Sequence, residues 1–195
     1  MVDAFLVRYK IKVLDEVKHS SYLYQKLFRA IYGYTQVVCK QTGKKYVYHR
    51  PGVLSKFSYI KEGKNEIIVT KDGFSYLINF FKTGKNPAHN WRSKGNWTAS
   101  YSVVDVSMDE VKITKAVENQ IRNTYVIDSQ GNYRLLIDLL EELSLGKHID
   151  KIFLRQYENI INFIKNGSWY GVAVKRSGLV KKFDKLVGFY VKYKG

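Results

Sequence analysis

The sequence predicts an α+β protein, and three observations carry that expectation. Stretches with an apolar residue at every second position alternate with stretches whose apolar residues recur every third or fourth. Turn residues fall at the joins, at Gly33, Thr42-Gly43, Pro51-Gly52, Gly84 and Gly146. With 45% hydrophobic residues in 195, the chain can bury a core in one large domain or two small ones. The expected arrangement is an N-terminal split-βαβ-like antiparallel sheet with helices, packed on a C-terminal helical region with a β-hairpin whose element order matches a winged helix. The division is expected near Val106, giving a basic α+β subdomain over 1–106 and a helical subdomain over 107–195, or one continuous fold.

Residues 4–14 read as a strand, with Phe5, Val7, Tyr9, Ile11 and Val13 alternating with Leu6, Arg8, Lys10 and Lys12. Asp15 and Glu16 open a helix to about Tyr32, placing acid where the macrodipole favours it. Its core side is Leu23, Tyr24, Leu27, Phe28, Ala30 and Ile31, and Gly33 ends it. Strands 34–41 and 45–50 follow, joined by Thr42-Gly43-Lys44. Period two puts Tyr46, Tyr48 and Arg50 on one face of the second strand, with Val47 and His49 on the other. A strand at 66–70 leads to a helix with Asp72 as N-cap, running to Lys82, and then to a strand over 97–106.

This order approximates a split βαβ, ferredoxin-like layout with one extra strand. RNA-recognition domains share that topology, and GKKYVYH (43–49) sits where their aromatic motif falls. It lacks the motif's Gly and Phe pattern, so no family is assigned. Ser107 and Glu110 form a capping box for a helix to about Arg122. A short strand over 123–128, a turn at Ser129-Gln130-Gly131 and helices over 132–145 and 150–165 come next. SWYGVAVKR (168–176) and VGFYVKYK (187–194) read as strands. In a winged helix, residues 150–165 would be the recognition helix, and Lys175, Arg176, Lys181, Lys182 and Lys185 would arm the wing.

Charge supplies the functional expectation. The chain carries 33 Lys and Arg against 17 Asp and Glu, a net charge of +16. Residues 1–100 contribute +12, residues 101–164 contribute −3 and residues 165–195 contribute +7. Such an excess repels itself, and a polyanionic partner relieves it. Within 33–64, seven cations meet one anion, and Tyr34, Tyr46, Tyr48, Phe57 and Tyr59 are threaded between them. Cations hold phosphate and flat rings stack on bases, so nucleic acid, DNA or RNA, is the expected partner. The expected contacts are Lys40, Lys44, Lys45, Tyr46, Tyr48, Arg50 and Lys56, with Trp91 and Arg92 in the polar segment 85–96. Lys outnumbers Arg 25 to 8, which favours backbone attraction over base reading. The acidic 101–164 region is the expected docking face for a protein partner.

Other chemistry finds little footing. Cys39 is the single cysteine, so no intramolecular disulfide or Cys-based zinc finger forms, and no cofactor or metal is expected. His19, His49, His89 and His148 lack metal-binding spacing. The enzymatic alternative is a small nuclease or RNA-processing enzyme with His49 and His89 as acid and base beside Lys45 and Arg92. No phosphate-loop, dinucleotide or nucleophile-elbow motif is present. Charges at Asp3, Arg8 and Lys10 interrupt the apolar segment a signal peptide needs, so none is expected at the N-terminus. No run reaches the ~20 apolar residues of a membrane span, so a soluble, cytoplasmic protein is expected.

Overall fold

The computed structural model describes residues 2–13, 22–85, 97–148 and 151–194. It is α+β, and it divides into two units: residues 1–34 with 50–109, and residues 35–49 with 110–195. Residues 35–49, expected to share the first sheet, therefore cluster with the second unit.

The first unit is built on β1 (Val2–Val13), whose alternating pattern buries one side. β1 pairs antiparallel with β5 (Glu66–Val69) and with the 12-residue β6 (Trp97–Met108). β5 pairs in turn with β4 (Tyr59–Gly63), giving the order β4-β5-β1-β6. Helix α1 (Tyr22–Tyr32) connects β1 to β4, and α2 (Lys71–Thr83) connects β5 to β6. Strand β5 thus lies between two parallel strands joined through a helix, which is the split βαβ order. The extra strand expected in this sheet is absent from it. Among the described residues, β2 (Tyr34–Cys39) and β3 (Lys45–Arg50) pair only with each other, and β4 takes the edge position.

Both helices cover the same sheet face. Val7, Tyr9 and Ile11 of β1 and Ile67 and Val69 of β5 form one core with Leu27, Ala30 and Ile31 of α1 and Leu77, Phe80 and Phe81 of α2. Aromatic contacts knit it, with Tyr9 and Phe81 at 5.3 Å and Phe80 and Trp97 at 5.3 Å between ring centroids. The cap of α2 is Thr70, two residues before the expected Asp72, and its Oγ1 accepts from the Gly73 N–H at 3.3 Å. Gly84 closes the helix in the left-handed conformation.

The end of α1 is tied by the chain that returns from the β2–β3 excursion. The N–H groups of Val53 and Leu54 donate to the Ala30 and Ile31 carbonyls at 2.8 and 2.9 Å. These bonds satisfy acceptors that a helix terminus otherwise leaves open. The approach needs glycine on both sides. A Cβ on Gly52 would lie 2.1 Å from the Gly33 nitrogen, and Gly33 itself has φ +74°.

The second unit is mainly helical. α3 (Glu110–Arg122) is followed by the hairpin β7 (Tyr125–Ile127) and β8 (Tyr133–Leu135), then α4 (Leu136–Ser144) and α5 (Lys151–Lys165). Residues 133–135, expected to open a helix, pair with β7 instead, across a turn in which Asp128 Oδ1 accepts from the Gln130 and Asn132 N–H groups. The two strands expected at the C-terminus are helices, α6 (Tyr170–Arg176) and α7 (Gly178–Lys194). Trp169, Tyr170, Ala173, Val180, Phe183, Leu186, Val187 and Tyr190 are buried at helical spacing, so each helix hides one side. No wing is formed there. Ser177 starts α7 by accepting from the Val180 N–H and donating to Glu118.

Candidate nucleic-acid interface

The hairpin β2–β3 presents the most concentrated set of expected contacts. Its turn is closed by Lys40 N–H donating to the Lys44 carbonyl at 2.9 Å and Gly43 N–H donating to the Lys40 carbonyl at 2.9 Å. Gly43, at φ +76°, supplies the conformation this reversal needs. Lys40, Lys44 and Lys45 at the tip are exposed. The Lys40 ammonium lies 4.7 Å from the centroid of the Tyr46 ring, a cation–π contact on a half-buried tyrosine. Tyr48, two residues along the same face, is 47% exposed.

The other face of β3 anchors the hairpin. His49 is buried, stacks on Tyr125 with ring centroids 4.6 Å apart, and meets the edge of Tyr133 at 5.8 Å. Its Nδ1 is 3.0 Å from Thr35 Oγ1 across the two strands. A ring held on its face, its edge and one nitrogen is an anchor, and it is turned away from the solvent a substrate would occupy. The proposed partner in acid–base chemistry, His89, lies outside the described residues, as do Trp91 and Arg92. Among the described residues, no cluster of three or more His, Cys, Asp or Glu could hold a metal ion. Cys39, which its strand-like run beside Val37 and Val38 suggests as a small buried hydrophobe, is exposed.

The remaining expected contacts separate by unit. Arg50 and Lys56 are exposed and belong to the first unit, whereas Lys175, Arg176, Lys181 and Lys182 are exposed on α6 and α7 of the second. Two of the latter are ion-paired: Arg176 with Glu110, and Lys182 Nζ with Glu141 Oε1 at 2.7 Å. Exposed pairs of this kind contribute little to stability and open readily to a competing anion.

One basic feature was visible in the sequence only as the polar half of an alternating strand. The register of β1 against β6 sets Arg8 opposite Ser102, Lys10 opposite Ser100 and Lys12 opposite Thr98. All six are exposed, on the sheet face opposite the two helices. The i, i+2, i+4 spacing of the cations was its signal.

Comparison of the chain with protein-family models, with curated proteins and with solved structures returned no match. Among the described residues, no helix is long and apolar enough to cross a membrane.

Proposed function

We propose that this protein binds nucleic acid in the cytoplasm, without enzymatic activity and with low sequence specificity, through the sugar–phosphate backbone. The observation that carries this reading is the β2–β3 hairpin: three exposed lysines at its tip, Lys40 held over Tyr46, and Tyr48 open to solvent on the same side. Lys40, Lys44 and Lys45 attract phosphate, and Tyr48 offers a ring face to an unstacked base. Stacking on one ring contributes about 1–3 kcal/mol with a single strand. The net charge of +16 supports a polyanionic partner of either sugar type.

Binding to labelled RNA and DNA should weaken steeply as salt is raised, and Lys44→Glu with Lys45→Glu should weaken it across all sequences. Unchanged affinity in the double variant removes the hairpin from the interface.

A second reading, a subunit of a nucleoprotein assembly, is favoured by apolar side chains within 110–164. Val111, Leu145 and Phe163 are exposed in the second unit, where a protein partner would cover them. A defined complex that survives nuclease treatment, and that is lost in Leu145→Asp, is the expected result. Complete release by nuclease rejects this reading.

A further inference from the structure

We infer that the first unit carries its own binding track for a polynucleotide backbone, formed by Arg8, Lys10 and Lys12 of β1 with Ser102, Ser100 and Thr98 of β6. The inference rests on the reading that this protein binds nucleic acid, but it does not depend on the hairpin.

Three features of the face carry it. Same-face residues along a strand repeat every ~6.7 Å, a spacing of the same order as that between neighbouring phosphates of one nucleic-acid strand. Three cations in register can therefore meet successive phosphates without the chain having to bend. The hydroxyl column lies on the adjoining strand, one residue opposite each cation, where it can donate to phosphate or sugar oxygens. The column also has few anions to compete with a ligand. Glu66, opposite Arg8 on β5, accepts from Arg8 Nε at 2.8 Å. Among the described residues neither Lys10 nor Lys12 is ion-paired, and both are exposed.

The same face explains the absence of rings from the track. Every aromatic residue of β1, and Trp97 and Tyr101 of β6, fall on the register positions that face the helices; Trp97 packs on Phe80 and Tyr101 on Phe81. The surface therefore grips a backbone and reads no base, which fits the low specificity proposed for the whole chain.

The test uses the full chain with short single-stranded RNA and DNA oligonucleotides and the matching duplexes, titrated at several salt concentrations. Lys10→Gln with Lys12→Gln should weaken binding roughly tenfold at low salt and reduce the slope of log K against log salt by about 1.4, from about 0.7 per single-strand contact. Glu66→Gln releases Arg8 and should tighten binding about threefold, a change that loss of folded protein cannot produce. Thermal melts of each variant verify folding. A loss confined to single strands places an unpaired strand on the track, and an equal loss with duplexes places one backbone of a duplex there.

Unchanged affinity and slope in the lysine variant, or no tightening in Glu66→Gln, overturns the inference. If the hairpin variant Lys44→Glu/Lys45→Glu still loses affinity in that case, the hairpin reading stands alone. Failure of the unaltered protein to bind any polynucleotide overturns both.

Discussion

Two single residues show how local chemistry sets limits on this fold. Gly52 has no room for a side chain, because a Cβ would meet the Gly33 nitrogen and the Ile31 carbonyl. Gly52→Ala should cost about 2–4 kcal/mol, read as a lower midpoint in chemical denaturation, since the obstacles are backbone atoms that move only with α1. Glu142 shows a limit set by pH. Arg134 grips both of its oxygens, at 2.7 and 3.1 Å, and Lys147 approaches at 3.3 Å. Hydrogen bonding from Arg134, aided by Lys147, holds this carboxyl down at about 2, against 4.5 for an unperturbed glutamate. Because the folded value is the lower one, the stabilisation is complete above about pH 4.5 and fades as pH falls toward 2. A pH series of thermal melts should show the acid-side decline flattened over that window in Glu142→Gln. Asp184 is lowered in the same sense by Lys165 and by the Tyr170 hydroxyl, so the variant should keep part of the decline.

At the level of the element, anchoring is concentrated in few contacts and can be broken singly. Removing the His49 ring deprives β3 of its stack on Tyr125 and its edge contact with Tyr133. His49→Ala should destabilise the second unit by about 1–2 kcal/mol and speed amide exchange over Lys45–Arg50 ahead of the helices. Thr70→Ala removes the α2 cap and should cost about 1 kcal/mol, whereas Asp72→Ala should cost less. The helices and longer strands of the first unit were legible because their periods are unambiguous over ten residues or more. The α6 and α7 segments were not. In SWYGVAVKR, apolar residues fit alternation as well as helix, and only the burial of Trp169, Tyr170 and Ala173 on one side decides it. Strand β4 was missed because Tyr59–Gly63 has one aliphatic residue and two charges, a weak strand signal that pairing with β5 overrides. The hairpin lysines could be read from composition. The cation track on β1 could not, because its partner hydroxyls lie some ninety residues away and only strand register joins them.

For the chain as a whole, the path of the backbone matters more than the count of elements. It passes from the first unit to the second at 34/35, returns at 49/50 and leaves again at 109/110. No single cut therefore yields both units intact. A fragment of residues 110–195 lacks the strand whose His49 covers Tyr125, and it should melt at a lower temperature than the full chain's second unit, with adding back a peptide of residues 34–50 restoring part of the difference. Equal melting with and without the peptide would show that the hairpin contributes nothing to that unit.

The glycine crossing at the end of α1 brings the two ends of the excursion of residues 35–49 together. The chain departs beside Gly33 and comes back beside Gly52, and the bonds from Val53 and Leu54 to α1 fasten both ends of the detour. Whatever is spliced between those ends, a shorter bridge or a longer arm, leaves the four-stranded scaffold with the same boundary conditions. The first unit can thus keep its cation-bearing sheet when the lysine-tipped arm is changed, whereas the second unit loses the anchor that His49 gives it on Tyr125.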